Sequence, residues 1–426
     1  MRRGLFVAAV CVLAVSCGER KPEQRVETYL SVEAPVKVTE FLHSGIVRDS
    51  AGTWYMAAFT DPKFEGATEE AETIAVYESK DECATWKEVS RIKSVVTYGV
   101  WGYDMAVGEG GRLYLTWVCG VYEAEKPSPF KAIMFSRSDD GGRSWTKPKW
   151  VNDLKEGQRS GPAMAVRGSN VYVAWLDCRV ASSGEAGHVG DQTVFFASSG
   201  DRGETWSANQ CIETEVALKT SFSSAPTICA GGDGKIYCSY YTTRRRPGGR
   251  RGPVDIGGWW VSKSSDGGKT FEVGMVPALS TGVMASAADG KNVYVGIVSG
   301  SNRDAQVYVS SDGGGGWDKL GVVDDDLDGS ARYEMELWPV GEGRLAACWD
   351  DKRGGVYMAV SVDGGETWGK NVRVAARSTV GITPIEMAVD GSTGRFAVLV
   401  TDVRQGEGDG TYMVRGKVVA GGGAGS

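Results

Sequence analysis

The chain has 426 residues, 42% of them hydrophobic, and its 47 basic and 54 acidic side chains leave a formal charge of −7 at pH 7. It therefore has no global basic field, which excludes the electrostatic footprint of a nucleic-acid protein, and its two histidines, His43 and His188, exclude histidine-rich zinc sites and an HExxH helix. Sixty glycines, fourteen tryptophans and sixteen tyrosines favour many short strands joined by tight turns.

Residues 1–17 read as an export signal: Arg2 and Arg3, an apolar run from Leu5 to Val15, then Ser16-Cys17. The run is too short to span a bilayer. A small residue directly before cysteine resembles a bacterial lipobox, although Ala14 stands where leucine is usual. The resemblance implies cleavage before Cys17, lipidation of its thiol and an envelope protein held to the membrane by that lipid; plain secretion is the alternative. Residues 18–29 are polar and suit a tether, residues 30–420 carry the globular part, and residues 421–426 form a Gly-rich tail. Seven cysteines follow Cys17, with no CxxC spacing, so neither a metal cluster nor any other cofactor is expected. Most read as buried small apolar residues, while Cys229 and Cys238 fall on neighbouring strands and are expected to pair only if their registers match.

A repeat dominates the rest. The octet Ser-x-Asp-x-Gly-x-x-aromatic occurs at Ser138-Asp140-Gly142-Trp145, Ser199-Asp201-Gly203-Trp206, Ser264-Asp266-Gly268-Phe271, Ser310-Asp312-Gly314-Trp317 and Ser361-Asp363-Gly365-Trp368. A sixth copy, Ser79-Asp81-Cys83-Trp86, has cysteine in place of glycine, which predicts a distorted turn. Ser and Asp can bond nearby backbone and hold a hairpin turn, glycine supplies a conformation that a Cβ penalises, and the aromatic ring anchors the turn to its sheet. These tasks are structural, and no catalysis is assigned to them.

In composition and spacing this octet resembles the Asp box, or BNR repeat, of the sialidase superfamily, over about His43 to Val419. The resemblance implies an all-β propeller of four-stranded antiparallel blades, each box joining the third strand to the fourth. The intervening sequence agrees: Pro162–Val166, Asn170–Trp175 and Thr193–Ser198 read as three successive strands of one blade. The same order recurs at Asp104–Val107, Leu113–Trp117 and Ala132–Ser136, and at Tyr333–Leu337, Arg344–Trp349 and Val356–Ser361. Seven units start near His43, Val100, Gly161, Ala225, Val283, Tyr333 and Pro384, so seven blades are favoured over the six of known sialidases. The last unit lacks an octet, and a strand from Leu30 to Thr39 is expected to complete it and close the ring.

The face opposite the octets collects the entries into the innermost strands and the loops between second and third strands, and a binding site is expected there. Entering residues include His43, Trp101, Tyr103, Asp104, Arg159, Ser160, Tyr333, Glu334 and Glu386. A Trp-x-Asp-x-Arg motif recurs at Trp175-Asp177-Arg179 and Trp349-Asp351-Arg353, which points to an Asp–Arg brace as well as to a site. Gly120–Phe130, Val180–Gln192 and Thr243–Gly258 read as inserted loops, the last bearing Arg244, Arg245, Arg246, Arg250 and Arg251. Guanidinium forks suit carboxylate, sulfate or phosphate.

Sialidases of the superfamily use an arginine triad on the substrate carboxylate, a Tyr/Glu nucleophile pair and an aspartic acid. Carried over residue by residue, the resemblance implies Tyr333 with Glu334 as the pair and Asp104 as the acid. Trp101, Arg159, Arg179, Arg244 and Arg353 are implied as substrate contacts. Phe41-Leu42-His43-Ser44-Gly45-Ile46 lacks the family's first arginine. Sequential residues of a regular strand face opposite ways, which separates Tyr333 from Glu334. The leading expectation is an exported, monomeric propeller that recognises an acidic glycan at the mouth face. The alternatives are an exo-sialidase or related glycoside hydrolase, and a protein-interaction propeller. No nucleic-acid partner is expected.

Overall fold

The computed structural model describes residues 29–33, 36–39, 43–59, 71–94, 98–121, 130–154, 157, 159–179, 192–213, 225–246, 254–278, 284–290, 292–298, 304–325, 331–341, 343–376, 385–402 and 410–419. Within them the chain forms seven antiparallel blades arranged as a propeller.

Each of the first six blades is a four-stranded meander. Blade 1 runs through His43–Arg48, Trp54–Phe59, Ala71–Ser79 and Lys87–Ser94, and blade 2 through Tyr98–Val107, Leu113–Val121, Phe130–Ser138 and Lys149–Trp150. Blade 3 comprises Arg159–Arg167, Asn170–Asp177, Thr193–Ser199 and Gln210–Cys211. Blade 4 comprises Thr227–Ala230, Ile236–Arg246, Val254–Ser264 and Glu272–Val276. Met284–Asp289, Asn292–Val298, Ala305–Ser310 and Asp318–Val322 form blade 5; Ala331–Gly341, Arg344–Asp351, Gly355–Ser361 and Val372–Ala376 form blade 6.

Blade 7 closes the ring. Ile385–Val389, Arg395–Asp402 and Gly410–Val419 are joined by Tyr29–Val32 and Val36–Thr39, which both pair with Gly410–Val419. The first strand of every blade contacts the first strand of the next, and that of blade 7 returns to blade 1. The expected N-terminal closure is thus present: strands from the N-terminal end supply the outermost position of the last blade. Two charged contacts reinforce it: Arg415 Nε donates to Glu33 Oε2 at 2.6 Å, and Arg48 Nη2 lies 3.0 Å from Asp390 Oδ2 across blades 1 and 7.

The core lies between blades, as expected where each sheet must bury both faces. Val, Ala, Met and aromatic residues of the middle strands pack in clusters that each span two neighbouring blades. Trp117, Trp175 and Trp349 occupy equivalent second-strand positions and are fully buried.

The octets turn as their chemistry requires. In the copy at 138–145, Ser138 Oγ accepts the Gly142 N–H at 2.8 Å and donates to Asp140 Oδ1 at 2.8 Å. Asp140 then accepts the N–H and hydroxyl of Ser144. The seventh position is therefore a working part of the turn, filled by Thr85, Ser144, Thr205, Thr270 and Thr367 in five copies. Gly316 stands there in the remaining copy and donates its N–H alone.

The copy at 79–86 is not distorted as expected. Cys83 N–H still reaches Ser79 Oγ at 3.0 Å, and Cys83 takes a left-handed φ of 65°. In two copies where a Cβ would collide, the obstacle is the side chain three residues before the preceding blade's octet serine: Phe135 against Gly203, Phe196 against Gly268. The equivalent residue in blade 7 is the unbranched Met413, which shares a cluster with Cys83 and leaves room for its Cβ.

Two further expectations are corrected. Cys238 stands opposite Ile228 while Cys229 stands opposite Tyr237, so alternation puts the two thiols on opposite faces, in different clusters, and no disulfide joins them. Burial also pushes the Cys119 thiol up to about 12 and that of Cys211 to about 11. The stretch from Thr243 to Gly258 is no simple loop: Thr243–Arg246 and Val254–Gly258 prolong the second and third strands of blade 4, helped by the β-branched Thr243, Val254 and Ile256.

Candidate functional site

The mouth face differs between blades, and the differences concentrate in the innermost strands. Three of these strands carry irregular register at nearly the same level. In blade 2, Val100 pairs with Cys119 and Tyr103 with Trp117, so Trp101 and Gly102 oppose the single residue Val118. In blade 3, Ser160 pairs with Leu176 and Ala163 with Ala174, so Gly161 and Pro162 oppose Trp175. In blade 6, Ala331 pairs with Asp351 and Met335 with Trp349, so Arg332, Tyr333 and Glu334 oppose Asp350. Bulges concentrate beside active sites because they end regular pairing and re-aim side chains.

The local sequence accounts for two of them. Gly102 has a φ of 87° and Gly161 one of 54°, and Pro162 has no N–H to give to a ladder. The bulges of blades 2 and 3 also pack together, for a Cβ on Gly102 would lie 3.4 Å from Pro162.

Trp101, Tyr333 and Glu334 are thus brought to bulges at the mouth. The alternation that separates Tyr333 from Glu334 on a regular strand does not hold across three residues opposing one. Asp104 lies just below. It is half-buried between inner strands, and its Oδ2 accepts the N–H of Met164 from blade 3 at 2.7 Å. Burial pushes its carboxyl up to about 7, against the opposing effect of hydrogen bonds from the backbone of Met164 and Met105. A carboxyl that exchanges its proton near neutrality can serve as a general acid.

Register identifies two residues at the same level that the sequence reading did not single out as a set. Asp104 pairs with Thr116, Glu336 with Cys348 and Glu386 with Leu399, each three residues beyond a Gly-Arg-Leu or Gly-Arg-Phe turn at 111–113, 343–345 and 394–396. Asp104, Glu336 and Glu386 therefore form a set at one level of the inner strands of blades 2, 6 and 7. The repeated turn was the signal that could have revealed it. Among the described residues, no group of three or more His, Cys, Asp or Glu is placed to hold a metal ion.

Three of the arginines do other work. Arg159, expected at the channel mouth, is fully buried: its Nε donates to Asp177 Oδ2 at 2.9 Å and its Nη1 to the Lys131 carbonyl at 2.8 Å. Arg179 Nη2 also reaches Asp177 Oδ2, at 2.8 Å, while its Nη1 bonds Asp153 Oδ1 at 2.6 Å. Trp175 Nε1 donates to the same Asp177 oxygen at 3.1 Å, and Asn209 is bonded to Asp153, Arg179 and the Val151 carbonyl.

Blade 6 repeats this staple: Trp349 Nε1 and Arg353 Nη2 on Asp351, Arg353 Nη1 on Asp325 at 2.8 Å, and Asn371 on Asp325 and the Val323 carbonyl. Arg353 is raised above the usual arginine range, chiefly by its hydrogen bond to Asp351. The recurring Trp-x-Asp-x-Arg is thus a brace tying blade 2 to blade 3 and blade 5 to blade 6. Its partners Asp153, Asn209, Asp325 and Asn371 went unrecognised in the sequence, although Trp-x-x-Asn at 206–209 and 368–371 marks them. As substrate contacts, Arg159, Arg179 and Arg353 give way to this structural task.

Arg244 lies on the prolonged hairpin of blade 4, opposite Ile256. His188, Cys17 and most of the loops at 122–129, 180–191 and 247–253 lie outside the described residues.

No family model matches this sequence, and no curated protein does. Solved structures do share its architecture. The α-L-arabinofuranosidase of Fusarium graminearum in complex with an iminosugar inhibitor is 12% identical, with a TM-score of 0.52 over 91% of this chain and 98% of that one. The α-L-arabinanase of Penicillium chrysogenum complexed with arabinobiose is 15% identical, with a TM-score of 0.51 over 91% and 99%. The Trypanosoma rangeli sialidase in complex with sialic acid is 12% identical, with a TM-score of 0.51 over 91% of this chain and 59% of that chain. At such identities the likeness is one of fold: this chain is a seven-bladed propeller similar in architecture to sialidases and arabinanases.

Proposed function

We propose that the chain is a carbohydrate-recognising propeller that takes an acidic glycan at its mouth face. The observation that supports this reading is the set of register bulges in blades 2, 3 and 6, on which Trp101, Tyr333 and Glu334 stand, with Asp104 further along the inner strand of blade 2. An indole offers an apolar face to a sugar ring, and carboxylates bond its hydroxyls. The three neighbouring structures named above are glycoside hydrolases of the same architecture, which supports a carbohydrate ligand. Export through the signal at residues 1–17 and lipidation at Cys17 complete the proposal, placing the propeller at the cell envelope.

A second reading, glycoside hydrolysis, is favoured by Asp104. A carboxyl held near 7 is suited to protonate a leaving oxygen, and Tyr333 activated by Glu334 supplies a nucleophile that an anionic sugar does not repel. The test mixes a soluble chain starting at Gly18 with fluorogenic sialosides, arabinofuranosides and uronides, alongside binding measurements with the corresponding oligosaccharides. Release abolished by Asp104→Asn establishes hydrolysis. Binding without release leaves recognition alone, and neither binding nor release with any sugar overturns both readings.

A further inference from the structure

We propose that the prolonged hairpin of blade 4 is a polyanion-binding arm, seating an acidic polysaccharide beside the channel mouth; this deepens the carbohydrate reading and rests on it. Equivalent hairpins set the scale. Counting from the residue opposite the octet serine, the hairpins of blades 3 and 6 stop at Asp177–Thr193 and Asp351–Gly355, which correspond to Thr242–Gly258 of blade 4. Blade 4 continues without a break through Thr243–Gly257, Arg244–Ile256, Arg245–Asp255 and Arg246–Val254. Four more ladder steps carry it about 13 Å past the level where those hairpins end.

The register sorts its charges. Tyr240 and Trp260 pack with Leu176 and Val194 of blade 3, whereas Tyr241 and Trp259 pack with Val293 and Ile297 of blade 5. Strand alternation therefore puts positions 244 and 246 on the sheet face shared with Trp260, and position 245 on the other. Arg245 stands opposite the acidic position Asp255 in the ladder. Arg244 and Arg246 stand opposite the uncharged Ile256 and Val254. One face of the arm thus carries two arginine positions with uncharged cross-strand neighbours, further along the hairpin from a half-buried tryptophan, while the position between them on the other face has an acidic cross-strand neighbour.

That combination fits an acidic polysaccharide. Guanidinium forks pair with carboxylate or sulfate groups, and the aromatic residue suits the apolar side of a sugar ring. The net charge of −7 confines anion attraction to such a local feature and disfavours the broad basic surface that a nucleic acid needs. The ladder holds the strand backbone in place, so less order has to be imposed on binding than in a loose loop.

The test measures binding of the chain, at several salt concentrations, to polygalacturonate, to dextran sulfate and to neutral arabinan. The double variant Arg244→Ala/Arg246→Ala is expected to bind at least one anionic polymer about tenfold more weakly, while Arg245→Ala changes affinity by less than about threefold. Arg244→Lys/Arg246→Lys is expected to recover part of the loss, which a misfolded arm would not do. Preference for polygalacturonate or for dextran sulfate identifies the anionic group as carboxylate or sulfate. Wild-type binding to neither polymer, or a double variant within twofold of wild type, overturns the arm. Arabinan binding reads the mouth separately: its loss in Trp101→Ala with polygalacturonate retention intact supports the arm as a distinct surface.

Discussion

At the scale of single residues, the octet shows how a few atoms hold a turn. Asp81 and Asp201 sit at about 2 because a threonine hydroxyl and N–H, with the octet serine, favour the ionised form. At Asp140 burial opposes the shift, but hydrogen bonds led by Ser144 outweigh it and the value is again about 2. A depressed carboxylate adds stability that is complete above the ordinary value near 4 and is lost as pH falls towards 2, so the ring is expected to loosen in acid over that interval. Asp104 has the opposite sign. Its carboxyl is raised to about 7, so the folded state holds a proton that the unfolded chain releases, and this contribution fades as pH climbs from 4 to 7. Asp104→Asn keeps an acceptor for Met164 and is expected to melt about 2 °C or more above wild type at pH 8, with the advantage shrinking at pH 5. Equal advantages at both pH values would contradict the assignment. The octet glycines differ in the same testable way. A Cβ on Gly203 would lie 2.0 Å from Phe135, whereas one on Gly314 meets nothing closer than 3.9 Å, though both have positive φ. Chemical denaturation is expected to show a loss of about 3 kcal/mol for Gly203→Ala and about 1 kcal/mol for Gly314→Ala.

At the scale of elements, the two staples look alike and differ in one buried charge. Asp177 neutralises both Arg179 and the fully buried Arg159. Its counterpart Asp351 pairs with Ala331 where Asp177 pairs with Arg159, and it answers to Arg353, whose side chain is 28% exposed and can rehydrate. Asp177→Ala is therefore expected to cost about 3–5 kcal/mol and Asp351→Ala about 2 kcal/mol less, as measured by urea unfolding. Much of this level was legible in the sequence: strand order, octets and the brace reading of Trp-x-Asp-x-Arg follow from periodicity and recurrence. The bulges were not. A bulge is a mismatch between two strands, and neither strand announces it alone; Gly102 and Gly161-Pro162 hinted at it, while Arg332-Tyr333-Glu334 has no such mark. Arg159 was misplaced for the same reason. Position along a strand says which end a residue occupies, and only packing against Asp177 shows it buried.

At the scale of the whole molecule, seven blades close through an N-terminal strand pair, and the two ends of the ring do different things. One end carries the octet turns, repeated and structural. The other carries the irregular registers of the inner strands of blades 2, 3 and 6 and the prolonged hairpin of blade 4. The proposed carbohydrate site lies at that second end. The most direct test labels methionine methyl groups and follows them by NMR as sialyllactose and trigalacturonic acid are added in turn. Met105 and Met335 lie on the inner strands beside Asp104 and Glu334, while the exposed Met275 lies on the outermost strand of blade 4. Saturable shifts at Met105 and Met335 with either sugar are the expected result, whether or not trigalacturonic acid also moves Met275, which stands opposite Trp260 below the blade 4 arm. Shifts confined to Met275, or none with either sugar at millimolar concentration, would contradict a carbohydrate site at the mouth of the channel.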